Sequence, residues 1–277
     1  MNHSPFPAPA DLRCAALHCL CEADVAAKVA GVGALAAAWE SGAMALDSQC
    51  ELQASLSIPG RPPQPLLVPP REVKHRSMAT LEGRAAMIHA LAHIEFNAIN
   101  LALDAIWRFA GMPRDYYADW LRVAKEEAYH FSLLAMHLQG LGFAYGDLSA
   151  HDSLWELTAK TSHDILARMA LVPRLMEARG LDASPRTRAK LAQAGDEEAA
   201  AIIDIILRDE IGHVAVGNRW YGWLCQARGL EPLATFAALV VQHQAPQLRG
   251  PFNMEARRAA GFSESELQAL LQEMRQA

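Results

Sequence analysis

Excess positive charge, cysteine, aromatic residues and long uncharged apolar runs are all scarce in this chain, and each shortage excludes something. Lys and Arg number 25 against 31 Asp and Glu, for a formal net charge of −6. The cationic footprint that grips a nucleic-acid backbone is therefore missing, although a small basic face stays open. The five cysteines (Cys14, Cys19, Cys21, Cys50 and Cys225) are odd in number and thinly spread over 277 residues. They do not form a disulfide framework, and all five are expected to be reduced. Cys19 and Cys21 would point about 200° apart on a helix, which makes them a poor metal pair. No stretch of 18 residues reads as apolar and free of charge, so no transmembrane helix is expected. The opening MNHSPFPAPADLR lacks the apolar centre of a secretory signal. A cytoplasmic protein without a membrane partner is the simplest expectation. Alternating apolar and polar residues are also rare, which argues against strands.

What the chain has in quantity is Ala, Leu, Glu, Arg and Gln, all strong helix formers. An all-α fold follows. Residues 10–38 read as one helix with the stripe Leu12, Leu17, Leu20, Val25, Val29 and Leu35. The run IPGRPPQPLLVPPR over 58–71 carries six prolines and should lie extended on the surface of the core. Long helices are expected over about 77–110 and 114–139, separated by Gly111 and Pro113. A third should run from 152 to Gly180. A short helix begun by Ser184 and Pro185 should end at Gly195, and a fourth long helix should span 196–228. The tail should hold a helix after Pro232 and a last one begun by Ser263 and Glu266 at capping-box spacing. The first two long helices are joined tightly, so they should be antiparallel neighbours. The loop before residue 152 is long enough to cross a bundle. Pro173 cannot donate a helical hydrogen bond to Met169, so a bend is expected there. The resulting plan is a single domain over 1–277. An N-terminal helix and proline-rich wrap occupy 1–75, a four-helix core 76–228, and C-terminal helices 229–277.

Two Glu-x-x-His motifs stand in this plan: Glu127 and His130 in EEAYH, and Glu210 and His213 in DEIGH. Three residues of helix put both side chains on one face, within reach of one metal ion. The motif alone is weak, since 18 Glu and 11 His in a chain of this length give close to one such pair by chance. A third pair, Glu72 and His75, lies beside the proline-rich run with no partner helix and is set aside. Spacing strengthens the other two. Glu95 precedes Glu127 by 32 residues and Glu177 precedes Glu210 by 33. Two helices each giving a Glu and two each giving Glu-x-x-His make the di-metal carboxylate pattern of ferritin-like bundles. Glu95 lies among Leu91, Ala92, Ala98 and Ile99, where a carboxylate is costly to ionise unless a cation offsets it. Glu126 and Asp209 each precede a motif Glu. They are expected to orient the histidine of the opposite motif, Glu126 serving His213 and Asp209 serving His130. The blander expectations go to His89, His93 and His163, read as structural or supporting histidines. Tyr116, Tyr117, Trp107, Trp120, Trp220 and Trp223 should be core or interface residues, and Tyr129 more often packing than metal surroundings.

HALAHIEFNAINLALDAIWRF, DWLRVAKEEAYHFSLL, YGDLSAHDSLWELTAKTSHDILARMALVPRLMEARGLD and RDEIGHVAVGNRWY, with PGRPPQPLLVPP and ARRAAGF, resemble the ferritin-like family catalogued as domain of unknown function 455. The resemblance covers nearly the whole chain. It implies a ferritin-like bundle with a di-iron site on Glu95, Glu127, His130, Glu177, Glu210 and His213, and it brings no substrate. More distantly the layout is similar to di-iron hydroxylases that modify tRNA bases, which carry a segment like Glu177-Ala178-Arg179.

Carboxylate and imidazole without thiolate suit iron, with manganese or a mixed manganese–iron pair as alternatives. The expected function is an O₂-dependent oxidoreductase or hydroxylase acting on an unidentified small or RNA-borne substrate. The alternatives are an iron-binding or ferroxidase-type protein without organic substrate, and a structural bundle with a vestigial site. A homo-oligomer stays open.

Overall fold

Helices make up nearly all of the regular structure in the computed structural model, which describes residues 11–74 and 76–276, and no strand occurs among the described residues. The fold is an all-α bundle. Residues 1–10, and with them the reading of the leader and of a helix start at residue 10, lie outside the described residues, as does His75 of the third motif. The chain divides into two compact units that meet in sequence at Asp152 and Ser153.

The first unit contains α1 (Leu12–Cys21), α2 (Val25–Glu40), α3 (Leu81–Arg108) and α4 (Arg114–Gly140). The single helix expected over 10–38 is thus two. Asp24 starts the second by accepting the Ala27 N–H at 2.8 Å. At the break, the Gly60 N–H donates to the Leu20 carbonyl at 2.7 Å. A β-carbon on Gly60 would stand 2.1 Å from the Cys21 carbonyl oxygen. The helix opens where the proline-rich segment comes in, and only glycine fits that approach. Beyond Gly60 the segment has no regular structure except a 3₁₀ turn at Pro70–Glu72. Backbone bonds pin it: Val68 N–H to Ala150 O at 2.8 Å and Ala150 N–H to Leu66 O at 3.0 Å.

Lys28, fully buried, ties these pieces together. Its ammonium donates to the carbonyls of Gly60 (2.9 Å) and Leu20 (3.3 Å) and to the Asn100 side-chain oxygen on α3. Burial pulls its pKa down to about 7, and three acceptors offset that cost.

Between α3 and α4 the turn is short. Gly111 takes a positive φ of 76°, and the Tyr117 hydroxyl donates to the Phe109 carbonyl at 2.9 Å. The two long helices pack along each other as expected. By length and composition alone α3 is apolar enough to cross a membrane, but 72% of its most apolar window is buried inside the protein. Its apolarity serves the core.

The second unit holds α5 (Ser153–Lys160), α6 (Ile165–Leu171), a π turn (Val172–Glu177), α7 (Ala178–Gln193), α8 (Glu197–Arg228), α9 (Pro232–Gln242), α10 (Met254–Ala259) and α11 (Glu264–Gln276). The helix expected over 152–180 is broken into pieces. The break at Pro173 takes the form of a π turn, with Ala178 N–H bonded to the carbonyl of Pro173 five residues back. Proline has no N–H to continue the α pattern, and one wide turn absorbs the defect. Neither Gly180 nor Ser184 and Pro185 end or begin a helix here, because α7 runs through all three. Pro185 deprives the Leu181 carbonyl of its helical donor, and the Asn253 side-chain amide takes that place at 3.3 Å. The long-range contact decides what the local signal could not. At α11 the expected capping box is present: Ser263 N–H to Glu266 Oε2 at 2.7 Å and Glu266 N–H to Ser263 Oγ at 3.3 Å.

Gly217 of α8 faces Pro173. A β-carbon at 217 would lie 2.6 Å from Pro173 Cβ and 2.7 Å from Cγ, whereas one at Gly222 meets nothing within 4 Å. The proline ring cannot rotate away. Gly217→Ala should therefore destabilise by about 1–3 kcal/mol, and Gly222→Ala should be neutral or stabilising by up to about 1 kcal/mol. Denaturant unfolding of the two variants side by side is the check, and equal midpoints would contradict the contact.

Candidate metal centre

In the first unit the register of α3 against α4 brings Glu95 level with Glu127 and His130. Glu95 is 3% exposed and the other two are fully buried. His130 Nδ1 stands 3.2 Å from Glu95 Oε2 and 3.5 Å from Glu127 Oε2. One potential ligand atom from each of the three lies within 4.8 Å of the others. This is the spacing of atoms that share a cation, and the donor set, hard oxygen with imidazole, suits iron, manganese or zinc. The three could hold a metal ion.

Their electrostatics without a cation show the strain of the arrangement. Burial, and then repulsion from Glu127, hold the Glu95 carboxyl well above the usual range. For His130, burial alone would favour the neutral ring, but hydrogen bonds donated to Glu127 and Glu95 and attraction to their charge outweigh it and push the pKa up to about 11. Protons take the place that a cation would fill. The surroundings are apolar, as the sequence suggested: Ala92, Ala98, Ile99, Phe96 and Phe131 are all buried.

In the second unit Glu210 and His213 sit one turn apart on α8, both buried, with His213 Nδ1 3.8 Å from Glu210 Oε1. Glu177 is the last residue of the π turn, half-buried, with Oε2 shielded from water. That turn packs against α8. Glu177 belongs to no three-ligand cluster among the described residues. Asp209 pairs with Arg208 (2.8 Å). Glu126 lines a groove of about 520 Å³ between α2 and α4 with Trp39, Lys125 and Tyr129.

His89, His93 and His163 lie outside the three-residue cluster. His93 Nδ1 lies 2.9 Å from the Tyr145 hydroxyl and Nε2 3.1 Å from the His151 carbonyl, while His89 Nε2 accepts the Gly146 N–H at 3.0 Å. His163 stacks on His243. Tyr116, Tyr117, Trp107, Trp120 and Trp220 are buried, whereas Trp223 is 40% and Tyr129 50% exposed. All five cysteines are free thiols. Five buried cations were missed at the level of sequence: Arg13, Lys28, Arg168, Arg174 and Arg257. Lys28 carried a signal, as the lone charge inside VAAKVAGVGALAAAW. Arg174 carried none, because Arg168, Arg174 and Arg179 look alike in a row.

A family model described as "Protein of unknown function (DUF455)" matches residues 21–268. An uncharacterized protein of Haemophilus influenzae is 52% identical over 218 residues, which is 76% of either chain. No solved structure matches.

Glu95 and His130 both have raised pKa values, so the folded metal-free protein binds more protons than the unfolded chain. Their contribution is complete below the unfolded values of 4.5 and 6.5 and is lost as pH rises toward the folded ones. Chelator-treated protein should therefore lose thermal stability as pH rises from about 6.5 toward about 11. In Glu95→Gln/Glu127→Gln, His130 loses the Glu95 and Glu127 carboxylates and that decline should flatten. Melting curves across this range, with the same slope in both proteins, would refute the cluster's electrostatics.

Proposed function

The chain belongs to the DUF455 family, and on that premise we propose that it is a ferritin-like di-metal carboxylate protein that uses iron in an O₂-dependent oxidation. The observation that carries this is the buried cluster of Glu95, Glu127 and His130, whose ligand atoms lie within 4.8 Å of one another. Three protein ligands leave a coordination sphere incomplete for iron or manganese. The chain repeats the same chemistry once more, as a Glu followed 33 residues later by Glu-x-x-His. We assign Glu177, Glu210 and His213 as further metal ligands. Six such ligands on helices match the di-iron and di-manganese pattern.

In this assignment Glu95 gives up the proton that offsets its burial, His130 gives up its own, and the metal ions supply the compensating charge. Bound iron would supply the capacity to bind and reduce dioxygen. The apolar wall of Phe96 and Phe131 would keep bulk water from the ligands of the first unit. Asp209 and Glu126 stay assigned as partners that fix the ligand histidines, an arrangement that typically accounts for about 10- to 100-fold in metal affinity or activity. The organic substrate is a small molecule or an RNA-borne base, and the acidic chain weakens the second option.

Protein purified from its own cells should contain about two metal ions per chain, measured by elemental analysis. Glu127→Ala combined with Glu210→Ala should abolish this content while leaving the helical signal, and unchanged iron in that variant would overturn the ligand assignment. After anaerobic loading with Fe(II), the wild-type protein should consume dioxygen and gain near-ultraviolet absorption. A loaded protein inert to dioxygen over hours would leave a structural metal site in place of an oxidase.

A further inference from the structure

Arg174 lies on the π turn three residues before Glu177, with its side chain 4% exposed. A guanidinium so deeply placed must be bonded by protein on all sides. Its Nε donates to Asn218 Oδ1 at 2.9 Å and its Nη2 to Glu266. Three rings surround it: Phe236 at 4.5 Å, Tyr221 at 4.7 Å and Phe262 at 5.1 Å. Asn218 is fixed in turn by donating to the Ala260 carbonyl at 2.7 Å. Glu266 is the capping-box residue of α11, so its backbone is held as well. Elements from α8 to α11 thus converge on one side chain of a six-residue π turn.

A π turn is the weaker alternative to an α turn, and an isolated one needs outside contacts to persist. The two registers differ by one residue. Going from one to the other would rotate Glu177 about the helix axis by about 100°. Pro173, packed on Gly217, favours the break, but it does not choose where Glu177 points. Arg174 does, because its fork spans Asn218, five residues past His213 on α8, and Glu266 on the last helix.

We propose that Arg174 is a positioning residue that locks the π register of residues 172–177 and so sets Glu177 against the ligand pair of α8. This inference rests on the di-metal assignment above. It makes the C-terminal helix, distant in sequence from every ligand, part of the metal centre through Glu266. A plain structural staple would behave differently. Its loss would lower stability equally with and without metal and leave metal binding alone.

The test is titration of chelator-treated full-length protein with Co(II), following the visible absorption of the bound ion, beside melting curves of the metal-free proteins. Arg174→Lys keeps the charge but loses the two-pronged fork. Glu266→Gln keeps the shape and removes one anchor, and it serves if the first variant does not fold. Either variant should bind Co(II) about 10- to 100-fold more weakly and with an altered spectrum. Glu177→Gln should do the same. Combining Glu177→Gln with Glu266→Gln should add little, since both act through one carboxylate. Wild-type affinity and spectrum in folded Glu266→Gln, or fully additive losses, would overturn the positioning role alone. A wild-type protein that binds no Co(II) would overturn the di-metal assignment and this inference with it.

Discussion

Taking carboxylates and imidazoles out of water costs on the order of several kcal/mol per ion unless opposite charge or protons accompany them. Glu95, Glu127 and His130 impose that constraint on the first unit, and the packing of α3 against α4 answers it. Two helices that could slide freely would let each acid reach solvent. The short turn at Gly111, the Tyr117–Phe109 hydrogen bond and the buried run from Glu95 to Trp107 remove that freedom. Once the register is fixed, the acids can relieve one another only by sharing a proton or a cation. The same feature that makes the cluster costly makes it a candidate site for metal.

Other buried charges follow the same rule with different partners. Lys28 is satisfied by two carbonyls and Asn100, and it joins the α1–α2 break, the proline-rich segment and α3. Arg13 donates through its two terminal nitrogens to the carbonyls of Asp47, Cys50 and Trp107. Arg257 pairs with Asp182 and reaches the Ala178 carbonyl. These residues fasten irregular segments to helices. Lys28 and Arg13 meet carbonyls at helix ends and in loops, and Arg257 meets a carboxylate of α7. Arg174 belongs with them chemically but differs in place, because the segment it fastens carries a proposed ligand.

Much was legible from the sequence. The bounds of α3, α4 and α8 came from glycine and proline at their ends and from helix-forming composition between them. The meeting of Glu95 with Glu127 was foreshadowed by their 32-residue spacing across a tight turn between antiparallel helices. The capping box at Ser263 and Glu266 is local chemistry and was readable as such. The less legible parts are those in which distant residues intervene. Asn253 lets α7 run through Pro185, Gly60 opens the helix expected over 10–38, and α10 was not anticipated because MEARRA is too short to show a period.

The sequence by itself determined the all-α class, the family, the pairing of each Glu with its histidine one turn later, and the face of α3 that buries Glu95. These depend on a few neighbouring residues and on helix geometry, which repeats without regard to context. Only the tertiary structure decided that the stretch before Glu177 becomes a π turn, that Arg168 and Arg174 are buried while Arg179 is exposed, and that the proton affinity of His130 is raised rather than lowered. Those outcomes turn on which groups arrive from afar to replace water, and the same side chain takes opposite roles according to what replaces it.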